Sequence, residues 1–187
     1  MANTNKVEFG ICNVYVGTYS VGTGGTVTLG TPVHIPGAVN FSPEDQGESN
    51  TFYADNVPYY TSFTSGVFEG DLEMAMFPDE FKTQFLGYVT LDDGGLADIK
   101  NAVKPDIYLA FEWLGDKKHR RCIYYNGSLG SINHEYATVE DSVEVATETI
   151  STRFVGDNET GITRVTYSQG DTGYDTLFTN PPVPDLP

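Results

Sequence analysis

The sequence predicts a mainly β domain: an antiparallel β-sandwich or barrel with one short α-helix and a long protruding loop. Three observations predict it. The 187 residues suffice for one ordinary domain, and they are rich in Thr, Val, Tyr and Phe, which fit a pleated, half-buried surface. Gly (20) and Pro (10) punctuate the apolar runs as turn residues. The runs themselves alternate at period two more often than they follow the helical period.

The elements follow in order. Val7, Phe9 and Ile11 alternate, and Val14 and Val16 continue on the other parity. That shift predicts a bulge or register change near Cys12-Asn13. A turn at Thr23–Thr26 leads to a second strand, Thr26 to Ile35, closed by Pro36-Gly37. Ala38 to Phe41 begins another strand. Ser42 to Ser65 then reads as a long excursion from the core, tipped with rings and carboxylates. Its aromatic block, Thr51 to Tyr60, is interrupted by Pro58, which cannot donate to a ladder, so it is no central strand. Loops of that length inside a compact domain are as a rule functional.

Gly66 to Phe77 resumes the strand pattern, with Leu72, Met74 and Met76 on one side and Asp71 and Glu73 on the other. Residues 78–86 form the one helix. Pro78 opens its first turn, Asp79 and Glu80 sit at the positive end, and Gly87 follows its last turn. Phe81 and Phe85, four apart, share a face that plugs an open end of the barrel or sandwich. Ile107 to Leu114 is the strongest strand; it turns at Gly115–Lys118 and returns as Arg120 to Tyr125. Glu135 to Asp141 is a polar link, and Ser142 to Phe154 another strand-like run. The sum is about eight strands in a β domain of residues 1–155. Residues 156–187 are rich in Gly, Thr and Asp, end in prolines, and read as an arm or flexible tail.

Charge narrows the function. The net charge is -16. A nucleic-acid reader needs clustered cations to replace phosphate counterions, and an anionic membrane surface needs the same. No apolar stretch approaches the ~20 residues of a spanning helix. The first six residues carry no apolar signal core, and Cys12 and Cys122 read as thiols in a reducing compartment.

Catalytic patterns are absent: no nucleophile elbow, phosphate loop, dinucleotide fingerprint or paired-His zinc motif. His34, His119 and His134 are dispersed, and the two cysteines have no second pair to complete a metal set. No catalytic, cofactor or metal residue is therefore expected. Glu69, Asp71 and Glu73 line one strand face at period two. They read as a solvent- or lumen-facing charged row in preference to a glycosidase pair. Lys117, Lys118, His119, Arg120 and Arg121 form one positive island with four of the ten basic residues. It reads as a contact turn for an acidic patch on another copy, with Glu44, Asp45 and Glu48 as counterpart.

Several blocks in matching order resemble the major tail proteins, or tail-tube proteins, of long-tailed bacteriophages. They are Thr51 to Thr61, Phe68 to Glu73, Pro78 to Phe81, Val103-Lys104-Pro105, Phe111-Glu112 with Gly115 to Lys118, and Glu140 to Glu144 with Thr147 to Thr149. The resemblance covers roughly residues 5 to 155. It implies a subunit that forms hexameric rings, stacked into a hollow tube around a tape-measure protein, that later conducts DNA into the host. Tail terminator and distal tail proteins are the further partners it implies, with the virion as location and the host bacterial cytoplasm as the place of assembly. It also implies a loop that reaches the neighbouring ring. Ser42 to Ser65 fits by position, with Glu44, Asp45, Glu48, Phe52, Tyr53, Asp55, Tyr59 and Tyr60 as its contact residues. An acidic bore keeps DNA from sticking within about a Debye length, ~8 Å at physiological salt. Glu69, Asp71 and Glu73, or Glu140, Glu144 and Glu148, are the lumen candidates. The alternative reading is a monomeric carbohydrate-binding β-sandwich, since exposed Tyr and Trp stack on sugars.

Overall fold

The computed structural model describes residues 10–134 and 146–186. Thirteen strands and one helix occur among them, more than the eight expected, because several strands are only two to four residues long. The first strands are β1 (Ile11–Val21), β2 (Val27–Leu29), β3 (Val33–Ile35), β4 (Ala38–Asp45), β5 (Ser49–Ala54), β6 (Val57–Phe63) and β7 (Phe68–Met74). After helix α1 (Asp79–Phe85) come β8 (Val89–Thr90), β9 (Leu96–Ala97), β10 (Ile107–Trp113), β11 (Arg121–His134), β12 (Glu148–Phe154) and β13 (Arg164–Tyr167).

One antiparallel sheet dominates, in the order β2-β1-β10-β11-β12-β7-β4, with β3 added to β1 and β13 to β11. Its path is open, so among the described residues no barrel closes within a single chain. The bulge expected near Cys12-Asn13 is present: the β1–β10 register shifts between Cys12 and Tyr15, and Asn13 has a φ of 50°. The second expected strand divides into β2 and β3, both paired with β1.

The sheet curls around its main core. Val14 and Val16 of β1, Ile107, Leu109 and Phe111 of β10, Tyr124 of β11, Ile150 and Phe154 of β12 and Leu72 and Met74 of β7 all point into it. Phe41 of β4 meets Phe111, Tyr124 and Phe154 edge-on, with centroids 5.6, 5.6 and 6.3 Å away. Helix α1 closes this core as its spacing predicts: Phe77, Phe81 and Phe85 follow one another at 5.0 and 5.2 Å and are fully buried.

Close strand approach needs a glycine at one point. A Cβ on Gly70 of β7 would lie 2.1 Å from the carbonyl oxygen of Ser42 on β4, which backbone cannot yield cheaply.

The second face of β1, β10 and β11 is also covered. Tyr19, Tyr108, Ala110, Ile123 and Tyr125 pack there with Leu177. Residues 156–186 supply that cover. β13 pairs with the first part of β11, Phe178 stacks on Tyr15 at 4.5 Å, and the Tyr125 hydroxyl donates to the Pro182 carbonyl at 2.8 Å. At the start of this segment the buried Asp157 accepts hydrogen bonds from the Tyr19 hydroxyl (2.6 Å), the Thr160 N–H and hydroxyl (2.7 Å each) and the Glu159 N–H (3.1 Å). Burial pushes its carboxyl up, but these donors outweigh burial and hold it below the ordinary carboxylate range.

Candidate functional site: the assembly surfaces

The excursion expected at Ser42 to Ser65 begins later than the sequence suggests and is not a strand-free loop. Ser42, Pro43, Glu44 and Asp45 remain in β4, opposite Asp71, Gly70, Glu69 and Phe68 of β7. Glu44 and Asp45 are therefore sheet residues, not loop-tip residues. The protruding part is the β5–β6 hairpin. Asp55 and Asn56 turn it with φ of 52° and 60°, the left-handed pair a two-residue hairpin turn requires. Pro58 is tolerated because the hairpin is a separate two-stranded sheet, with no third strand to serve.

The hairpin displays rings on both faces. Phe52 lies opposite Tyr60, while Thr51 and Thr61, whose hydroxyls are 3.4 Å apart, mark the other face. Tyr59 is 74% exposed, Phe63 66%, Tyr60 63%, Tyr53 62% and Phe52 61%. Glu48 and Asp55 are exposed beside them. Phe63 and the exposed Val57, which are not among the contact residues expected from the sequence, belong to the same surface; their place in the same alternating run is the signal for them. A two-stranded hairpin is marginal by itself, and a contiguous apolar patch of this kind marks an interaction surface.

On β7, Glu69, Asp71 and Glu73 stand on the face away from the core. Their neighbours are small and polar: Ser42 and Asn40 on β4, Ser151 and Thr149 on β12. Beyond β12 lie Ser128 and Asn133 of β11. Glu44 sits opposite Glu69, and Arg153, on Glu69's other side, bonds its carboxylate at 2.8 Å. Glu73 accepts a hydrogen bond from the Thr147 hydroxyl at 2.6 Å. The outer face of β4, β7, β12 and the second half of β11 is thus a shallow, polar wall with four carboxylates and one guanidinium.

Glu148 does not join that row. It shares the inward parity of Ile150 and Phe154 on β12. Its carboxylate accepts from the Phe77 N–H (2.6 Å) and lies 3.3 Å from Lys82 Nζ and 3.2 Å from His134 Nδ1. Two of these partners, Lys82 and Phe77, come from α1 and the residues before it, 66 and 71 residues away in sequence, and His134 comes from β11; those ties hold it inside the fold. Glu140 and Glu144 lie outside the described residues.

The basic turn is largely spent on the subunit's own structure. Buried Asp116 organises it, accepting from the N–H groups of Lys118 (3.0 Å) and Arg120 (2.9 Å) and from Arg120 Nε (2.6 Å). Arg121 pairs with Glu112 at 3.1 Å, donates to the Tyr174 carbonyl at 2.7 Å and stacks over Tyr174 and Phe178. Arg120 and Arg121 are therefore internal ties; Lys117 and Lys118 are the exposed lysines of the turn.

Among the described residues, no group of three or more His, Cys, Asp or Glu could hold a metal ion. Trp113, the ring a sugar-binding surface would use, packs against the core edge-on to Phe111 at 5.3 Å. Burial raises the Cys122 thiol to about 11, so it is an inert core group.

Comparison with known proteins shows relatives of the fold and, separately, the family. Two solved structures share the fold at 10% identity. One is the cap that terminates the tube of the anti-feeding prophage (TM-score 0.51, 89% of this chain and 97% of that one). The other is the sheath/tube terminator of PVC, an extracellular contractile injection system, in its extended state (TM-score 0.52, 88% and 100%). No curated protein matches the chain. The family model described as "Phage tail tube protein" spans residues 1–153. The chain belongs to the phage tail tube protein family and is a structural component of the virion's tail.

Proposed function

We propose that this chain is the repeating subunit of the tail tube: six copies close a ring, and rings stack through the β5–β6 hairpin into a hollow tube. The observation that carries the reading is the hairpin, whose rings are bare on both faces. Such a surface calls for a cover, and a second copy offers one in every ring. The bore follows from the polar wall. A face of serine, threonine and asparagine with surplus carboxylates repels a polyanion, and its one guanidinium, Arg153, is paired with Glu69, so DNA slides past it. The tape-measure protein occupies the same bore before DNA does, and terminator and distal tail proteins cap the two ends.

Two edges suit ring closure. Among the described residues, β4 is hydrogen-bonded as a strand only to β7, and β10 pairs β11 no further than Gly127. Pairing one copy's β4 with the next copy's second half of β11 would leave fewer edges bare. Residues 1–155 form the tube domain in this reading and residues 156–187 an extension that backs it. Assembly takes place in the host bacterial cytoplasm.

The test is direct. The purified protein, concentrated and viewed by negative-stain electron microscopy, forms rings or tubes. Excision of Ser49–Phe63 leaves a folded β domain that no longer stacks. A protein that stays monomeric at high concentration, or tubes that persist without the hairpin, defeats the proposal.

A further inference from the structure

The hairpin needs a receptor, and the sheet register says where one lies. The hairpin joins Asp45 to Phe68, which are paired with each other at one end of the β4–β7 ladder. The opposite end of that ladder is Ala38 paired with Met74, about 20 Å away along β7. At that far end the chain runs into Met76 and α1. Lys82 of α1 bonds Glu148, which sits opposite Met74, and the Tyr88 N–H donates to the Lys82 carbonyl, bringing Val89 to the same end.

This end exposes a second set of large apolar side chains. Met76 is 65% exposed, and Val39, Val89 and Leu91 are exposed with it. Asp79 and Glu80, in the first turn of α1, follow Met76 by three and four residues and are exposed as well. Both ends carry exposed carboxylates, Glu48 and Asp55 on the hairpin and Asp79 and Glu80 on α1, so the complementarity lies in their apolar and hydrogen-bonding groups. The hairpin brings rings that need apolar cover and three phenol hydroxyls, from Tyr53, Tyr59 and Tyr60, that can donate. The α1 end brings aliphatic cover and carboxylates that can only accept.

We propose that the α1 end, built from Val39, Met76, Val89, Leu91, Asp79 and Glu80, is the acceptor for the β5–β6 hairpin of a second copy. The inference rests on the stacking role of the hairpin and adds its receptor. Because donor and acceptor occupy opposite ends of one ladder, the contact is head-to-tail and repeats along a single axis.

Two blocked variants test it. Met76→Asp with Val89→Asp spoils the acceptor and spares the hairpin. Phe52→Ser with Tyr59→Ser and Tyr60→Ser spoils the hairpin and spares the acceptor. All five side chains are exposed, so both variants keep the wild-type circular dichroism and melting temperature. At a concentration where the wild type elongates, neither variant elongates alone. Mixed in equal amounts, they form a discrete complex in sedimentation that neither forms alone, because one intact hairpin meets one intact acceptor. Elongation of the acceptor variant, or no complex from the mixture, overturns the assignment. Elongation of the hairpin variant instead defeats the stacking role itself, an outcome read on the other protein and so kept distinct.

Discussion

Two ring-rich segments of this molecule meet opposite fates. In β10, five consecutive residues from Ile107 to Phe111 are buried, because the main core covers one face and residues 156–186 cover the other. In β5 and β6, rings of similar size stand in solvent on both faces. Both segments alternate, and both are aromatic. The difference lies in how many layers the rest of the chain supplies to each. A strand whose two faces are covered contributes to the stability of the subunit. A strand with neither face covered contributes nothing to it and is available for assembly.

The comparison can be broken at several points. The largest effect falls in the main core: Phe154→Ala costs about 3–5 kcal/mol in denaturant unfolding, since its ring is fully buried between Tyr124 and Phe41. Next is the second cover. Leu177→Ala costs about 2–5 kcal/mol by the same measurement, and a value near zero would mean that residues 156–187 do not shield β10.

Asp157→Asn comes third, at about 2 kcal/mol near neutral pH, because it weakens hydrogen bonds made to a charged group. Its pH dependence has a definite sign. The folded carboxyl lies below its unfolded value of about 3.9. The wild type's advantage is therefore complete above that value and fades as the pH falls through the folded pKa. Urea titrations of both proteins between pH 7 and pH 2 read the convergence; a gap that widens with acid refutes it. Tyr125→Phe costs about 1 kcal/mol, by removing the donor to the Pro182 carbonyl. The smallest effect belongs to the hairpin. Tyr59→Ser changes unfolding free energy by less than about 0.5 kcal/mol, although assembly suffers.

Much of the architecture is legible in the sequence where the cause is local. The bulge at Cys12-Asn13 shows as a parity change in the apolar pattern. Helix α1 shows through Pro78, its acids and the Phe81–Phe85 spacing. The β10–β11 hairpin shows as two apolar runs about a charged turn. What stays hidden depends on distant partners. Arg121 looks like a free surface charge until Glu112, Tyr174 and Phe178 are seen around it. Glu148 looks like one more strand acid until α1 delivers Lys82 and the Phe77 N–H. The β5–β6 hairpin was within reach, since Asp55-Asn56 are residues that tolerate the left-handed turn, but Pro58 argues against a strand unless the sheet has only two. Leu177 gives no local sign that it seals the back of the sheet.

The two extremities of the β4–β7 ladder are unlike: aromatic fingers at one, a helix with aliphatic flanks at the other. A stack of such units has a direction, as a column of arrows does, and its leading and trailing tips present different chemistry. Nothing in a repeating contact of this kind counts copies, so the length of the column has to be dictated by something other than the units that compose it.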